Sequence, residues 1–145
     1  LTLLREQADF VVMARYMLDT NICIYLMKHQ PPEVGERFAQ CYVGDVVISS
    51  ITLAELEYGV VCSGSQRRRN RAALDAFLQE VPAMPFDNAA AQTYGPVRFA
   101  TRERKRDALD KMIAAHALAL GATLVTNNLA DFAGYPDLKL ENWVV

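Results

Sequence analysis

The feature that most constrains this 145-residue chain is where its first apolar run stops. Val11 and Val12, then Tyr16, Met17 and Leu18, lead straight into Asp19-Thr20-Asn21, and a helix-like pattern (Ile22, Ile24, Tyr25, Leu26) follows at once. That reads as a buried strand that ends on a carboxylate and turns directly into a helix. In open α/β sheets ligands lie beyond the carboxyl ends of the strands, so a carboxylate there is placed for chemistry. The bland reading is a helix N-cap, where Asp accepts backbone N–H bonds. Yet Thr20 or Asn21 could cap the same helix, and three capping residues in a row exceed what a cap requires.

The rest of the chain alternates strand and helix. Residues 20–28 form a short helix stopped before Pro31-Pro32, residues 32–40 a second with Pro near its start, and residues 46–48 a short β-branched strand. Ser49-Ser50 opens a helix to about Val61 that ends near Gly64. Residues 68–79 are helical, with Leu74, Phe77, Leu78 and Val81 spaced i, i+3, i+4, i+7. Residues 83–86 are extended and residues 87–104 helical. Residues 109–120 form an almost wholly apolar helix that closes at Gly121. A strand at 123–126 and an edge strand at 138–140 complete the reading. Helices between short apolar strands imply an α/β fold, a three-layer α/β/α sandwich around a mostly parallel sheet.

This length suits one domain with a real core, read as residues 13–145. Residues 1–12 read as an N-terminal arm of uncertain origin, with Met13 a plausible natural start. Apolar residues make up 52% and charged ones 22%, the balance of a globular protein. No apolar run approaches the ~20 residues that cross a bilayer, and no secretory signal is evident. Cys23, Cys41 and Cys62 are odd in number and form no C-x-x-C pair, which speaks against a disulfide framework or zinc site and for a reducing cytoplasm. A net charge of −2 argues against bulk electrostatic binding of nucleic acid but leaves room for local basic patches.

Two further acids stand at the mouths of elements. Glu55 follows the second strand; its bland reading is a capping box, Thr52-x-x-Glu55, on the first turn of a helix. Glu57, two residues on, points to another face of the helix and reads as solvated. Asp110 opens the apolar helix; its bland reading is dipole stabilisation, but an acid at the mouth of a buried helix faces a cleft more readily than one on a surface helix. Asp19, Glu55 and Asp110 converging without a cation would repel one another and raise their pKa values. Mg²⁺ or Mn²⁺ with oxygen ligands resolves that conflict, and such ions serve phosphodiester chemistry. His116 shares a helical face with Leu109, Met112, Ile113 and Leu120, and reads as a buried structural histidine. Arg67-Arg68-Arg69-Asn70-Arg71 and the run Arg98, Arg102, Arg104, Lys105, Arg106 are either solvated faces or phosphate contacts, with Arg68, Arg69, Arg102 and Arg104 the candidates to touch a phosphate backbone.

Four motifs together resemble the PIN-domain ribonucleases, and among them the VapC-type toxins: Met17-Leu18-Asp19-Thr20-Asn21, Ile48-Ser49-Ser50-Ile51-Thr52-Leu53-Ala54-Glu55-Leu56-x-Tyr58-Gly59, Asp110-x-x-Ile113-Ala114-Ala115-His116-Ala117, and Leu124-Val125-Thr126-Asn127-Asn128-x-x-Asp131-Phe132. The resemblance spans roughly residues 16–143. It implies a Mg²⁺- or Mn²⁺-dependent endoribonuclease leaving 5′-phosphate and 3′-hydroxyl ends, with structured RNA, tRNA first, as substrate. It implies metal ligation by the catalytic acids Asp19, Glu55 and Asp110, with Asn128 at the fourth acidic position and Asp131 a nearby substitute. Thr20 and Thr126 match hydroxyl positions that orient the carboxylates, with Asn21 beside them. The implied partners are a VapB-like antitoxin that occludes the cleft and a second copy of the chain. Many relatives carry Ile-Gly before the third acid where this chain has Arg106-Asp107-Ala108-Leu109, which makes Asp107 a possible decoy.

Rival readings are weaker. An aspartyl phosphotransferase would want a second Asp where Asn21 stands, and no phosphate-binding glycine motif is present. A catalytically idle scaffold or co-repressor subunit that binds an antitoxin is the non-enzyme alternative.

Overall fold

Five short strands, β1 (Tyr16–Leu18), β2 (Val46–Ser49), β3 (Ala83–Met84), β4 (Thr123–Val125) and β5 (Leu140–Glu141), pair in the order β3-β2-β1-β4-β5, and every pair is parallel. They come from a computed structural model that describes residues 14–105 and 108–145. The arm at residues 1–12, the start at Met13 and the decoy acid Asp107 lie outside the described residues.

Parallel strands need crossovers, and here these are helical. They are α1 (Thr20–Lys28), α2 (Pro32–Phe38), α3 (Ser50–Val61), α4 (Arg67–Glu80), α5 (Asn88–Ala100), α6 (Ala108–Leu120) and α7 (Leu129–Phe132). In β1 the register sets Met17 opposite Val47 of β2 and Leu124 of β4. These three share one apolar cluster with Val97, Ile113, Ala114 and Phe132 of α5, α6 and α7. Their strand neighbours Leu18, Val46, Ile48 and Val125 belong to another, with Ile22, Phe38, Leu74 and Phe77 of α1, α2 and α4. The period-two alternation of the strands thus builds two cores, one on each face of the sheet. This is the expected α/β/α sandwich.

The strand order places the functional end. After β1 and β2 the chain moves outward to β3, then crosses back over β2 and β1 to lay down β4 on the far side. The connections leaving β1 and β4 therefore run to opposite sides, which opens a crevice at their carboxyl ends, the switch point where α/β folds bind ligands.

Element boundaries differ from the sequence reading where local chemistry intervenes. The helix expected over 87–104 is shorter: Asp87 is its N-cap, Oδ1 accepting from Ala90 N at 3.0 Å, and α5 stops at Ala100, after which Thr101 turns its hydroxyl back to the Val97 carbonyl at 2.8 Å. The edge strand expected over 138–140 moves to Leu140–Glu141, beyond the left-handed Asp137 (φ 62°). Helix α2 ends two residues early, and both α7 and a 3₁₀ turn at Gly64–Gln66 are additions. No described helix is long and apolar enough to cross a membrane.

Helix α6 ends as read. Gly121 adopts φ +69°, its N–H donates to Leu118 O at 3.1 Å and Ala122 N donates to Ala117 O at 2.9 Å. These bonds satisfy the last carbonyls of α6 and send the chain into β4. An added Cβ would meet nothing, so the obstacle to substitution is purely the left-handed backbone. Gly121→Ala should therefore cost about 1–2 kcal/mol, read as a lowered urea midpoint with unchanged slope; an unmoved midpoint would contradict this geometry.

Candidate active site

Asp19 is the hinge between β1 and α1. Its backbone N–H reaches Val125 O of β4 at 3.0 Å, and its carbonyl accepts the first helical bond from Cys23 N at 3.2 Å. Its Oδ1 accepts from Ile22 N at 3.0 Å, so the residue is the N-cap of α1, as the bland reading held. It is more than a cap, because the side chain is only 7% exposed. Burial pushes its carboxyl pKa up; the Thr126 hydroxyl and the amides of Ile22 and Asn21 act against that, and the charge of Glu55 adds to it.

Thr126 comes from the end of β4, across the switch point. It is fully buried, bonds to the Asp19 carboxylate and accepts the Asn128 N–H at 3.0 Å. One hydroxyl thus ties the first acid to the turn that carries Asn128. Asn128 caps α7 with its backbone and is exposed, while Asp131 lies in the first turn of α7, half-buried, its N–H on Asn128 O at 3.0 Å. Asn127 reaches the Tyr25 hydroxyl at 3.1 Å. Asn21 is exposed and contributes its backbone amide to Asp19.

Glu55 projects from the second turn of α3, not the first, because that helix starts at Ser50. The Thr52–Glu55 capping box is not formed. Ser49 is the cap, its Oγ accepting from Ile51 N at 3.1 Å, and the Thr52 hydroxyl is buried without a hydrogen-bond partner. Glu55 instead accepts from the Thr20 hydroxyl at 2.7 Å. Thr20 and Thr126 thus each hydrogen-bond one carboxylate. Glu57 is not simply solvated: Arg71 grips both its oxygens, at 2.6 and 3.0 Å, and reaches Asp75 at 3.3 Å.

Asp110 stands in the first turn of α6, half-buried. Among the described residues no three Asp, Glu, His or Cys side chains are gathered closely enough to hold a metal ion. Asp19 and Glu55 are brought together, the charge of Glu55 adding to the raised pKa of Asp19.

His116 is buried and edge-on to Phe86, with Nδ1 2.8 Å from Ser49 Oγ. Burial lowers its pKa and favours the neutral ring. It is structural, as expected, but it also joins α6 to the cap of α3 and so links the helices that carry Asp110 and Glu55. Leu109, expected on the same buried face, is exposed, and Lys111, not expected inside, is buried.

Beside Glu55 a cavity of about 500 Å³ opens between α1, α3 and α4. Thr20, Glu55 and Arg69 are among its polar lining residues, with the apolar Ile24, Met27 and Leu74 beside them. Arg68 belongs elsewhere, in a separate depression with Arg67. Arg102 stacks on Phe99 at 4.3 Å, and Arg104 lies 5.6 Å from the Tyr135 ring centre.

The PIN domain family matches residues 16–137. The tRNA(fMet)-specific endonuclease VapC of Shigella flexneri is 40% identical over 133 residues, 90% of this chain and 99% of the relative. Ribonuclease VapC2 of Rickettsia felis is 40% identical, over 88% of this chain and 97% of its own length. The chain belongs to the PIN-domain family, with the VapC ribonucleases. The DNA-bound VapBC structure from Salmonella typhimurium superposes on this PIN domain with a TM-score of 0.83 at 38% identity, covering 90% of this chain and 99% of that one.

Because folding raises the pKa of Asp19, the folded PIN domain holds that proton more tightly than the unfolded chain. The contribution of this one group to stability is greatest below the unfolded carboxyl pKa and is lost as pH rises through the folded one. Asp19→Asn keeps the capping oxygen and removes the charge. Without added metal it should raise the melting temperature at neutral pH, by roughly 2–4 °C for each kcal/mol relieved, and the gain should shrink toward pH 4. Calorimetry in chelator measures both; a variant less stable than the parent at neutral pH would contradict the burial argument.

Proposed function

We propose that this PIN domain is a divalent-metal-dependent endoribonuclease, the toxin of a toxin–antitoxin pair, that hydrolyses phosphodiester bonds of structured RNA. The observation that carries the reading is the Asp19 carboxylate, buried at the β1/β4 switch point, beside Glu55, with a pKa raised by its burial. A buried acid that a fold keeps in such a place, with two threonines aiming it and its neighbour, fits a site built for a hard cation. Asp19, Glu55 and Asp110 would hold Mg²⁺ or Mn²⁺, with Asn128 as a further oxygen donor and Asp131 as its nearest substitute. The ion, when bound, lowers the pKa of water and offsets charge on the phosphodiester.

The protein's own part is orientation. Thr20 fixes the Glu55 carboxylate and Thr126 fixes that of Asp19, so neither acid has to reorganise as charge develops. Arg69 lines the same cavity as Glu55, which supports a contact from its guanidinium to an RNA phosphate. Arg68, Arg102 and Arg104 extend the basic rim for flanking phosphates. Water attacks phosphorus, the P–O3′ bond breaks, and the products carry 5′-phosphate and 3′-hydroxyl ends. The Shigella relative named for tRNA(fMet) supports tRNA as the substrate class. A VapB-like antitoxin fits the apolar cavity, filling it with an apolar segment next to Glu55 and so closing the site, and the VapBC complex of Salmonella supports such a partner. Exposed Tyr58, Val61 and Phe99 offer apolar surface for pairing with a second copy. Such a toxin works in the cytoplasm, where its RNA is.

Sequencing of RNA ends after brief expression tests the reading. The wild type should yield new 5′-phosphate ends at a small set of tRNA positions, and Asp19→Asn should yield none, a loss of at least about 10³-fold for removal of a catalytic acid. Equal cleavage by both would refute the role of Asp19, and no cleavage by either, with Mn²⁺ present, would favour an idle scaffold. Arg69→Ala should weaken RNA binding more at 50 mM than at 200 mM salt, with a log–log salt slope shallower by about 1; equal weakening at all salt concentrations would count against a phosphate contact.

A further inference from the structure

Lys111 is 5% exposed, in the residue after Asp110. Lysine is almost never buried without partners. Its position is doubly unfavourable, because it lies near the start of α6, where the helix dipole disfavours positive charge. Its partners explain it. Nζ donates to the Thr101 carbonyl at 2.8 Å and also to the Arg104 carbonyl. Thr101 is the cap residue at the end of α5, where unpaired carbonyls and the dipole favour a cation. Lysine 111 thus serves as a C-terminal cap for α5 supplied from the next helix, and it fastens the turn that follows.

That turn carries Arg102 and Arg104. Arg104 N–H closes it on Thr101 O at 2.9 Å, so the Thr101 carbonyl accepts from both ends of the α5–α6 connection. The Arg104 guanidinium in turn lies toward Tyr135, beyond α7. An apolar side chain would fill the space of Lys111 without the cost of burying an ammonium, but it would take the Lys111 donor from the Arg104 carbonyl, leave the Thr101 carbonyl only the Arg104 N–H within the turn, and free the turn to shift relative to Asp110.

We propose that Lys111 is a positioning residue for substrate: it locks the basic turn at 101–105 to the first turn of α6, so that the phosphate contact of Arg104 and the carboxylate of Asp110 keep a fixed spacing. The inference rests on the ribonuclease reading above and adds to it a residue that touches neither RNA nor metal.

Binding of fluorescently labelled, unfractionated bacterial tRNA, measured by anisotropy at 50, 100 and 200 mM salt in the Asp19→Asn background, tests it. Lys111→Met should weaken binding about tenfold at the lowest salt and make the log–log salt slope shallower by about 1, one lost phosphate. Arg104→Ala should do the same, and the double variant should bind no more weakly than Arg104→Ala alone, because both changes remove one contact. If Lys111→Met does not stay folded, Lys111→Gln, which keeps a shorter amide donor, is read by the same criteria. Additive losses, or an unchanged slope in a folded Lys111 variant, overturn the role of Lys111 and leave the nuclease reading standing. No tRNA binding by the Asp19→Asn parent, together with no cleavage by the wild type, overturns both.

Discussion

The structure depends on keeping one carboxylate nearly out of water. Asp19 is at once the end of the central strand, the cap of the first helix and the acid nearest Glu55. Desolvation of a carboxylate costs free energy that hydrogen bonds only partly return. The fold surrounds Asp19 with what returns most of it: the amide of Ile22, the amide of Asn21 and the hydroxyl of Thr126. The remaining deficit is useful. A site whose empty state is electrostatically unfavourable gives an incoming dication a free-energy advantage that no added contact is needed to supply.

Around that acid, each supporting element has a traceable cause. Thr20 follows Asp19 and turns to Glu55; Thr126 leaves β4 and turns to Asp19; His116 and Ser49 fasten α6 to the cap of α3. These are bonds between residues distant in the chain, held on elements that the cores on the two faces of the sheet fix in place. The result is a site in which the carboxylates are aimed by side chains that do no chemistry themselves, the arrangement that preorganised catalysis requires.

Much of this was legible in the sequence, for physical reasons. The strands alternate faces and the helices present apolar stripes, so the layers and the parallel sheet followed from periodicity. The abrupt change from apolar run to Asp-Thr-Asn marked the site because a strand end is where a buried chain first meets a cleft. What escaped the sequence were interactions without a local signature. Thr52-x-x-Glu55 has the spacing of a capping box, but Ser49 lies earlier and takes the cap, which frees Glu55 for Thr20. Arg71 sits in a basic run that reads as either a solvated face or phosphate contacts, yet Glu57 and Asp75 occupy it. Burial of Lys111 is set by two carbonyls of a preceding turn, and backbone acceptors leave no trace in residue identity. The tightening of α5 at Thr101 has the same origin.

The strand order has a consequence in time. Asp19 and Glu55 lie early in the chain and Asp110 later, but the strand that bonds Asp19 and carries Thr126 comes only after α6. A polypeptide emerging from the ribosome up to the end of α6 already contains all three acids and still has no β4 beside β1. Long-range parallel pairing of this kind forms late, once loop closure has become worthwhile. The pocket around Asp19 is therefore incomplete until β4 has paired with β1, whatever the order in which the acids themselves are made.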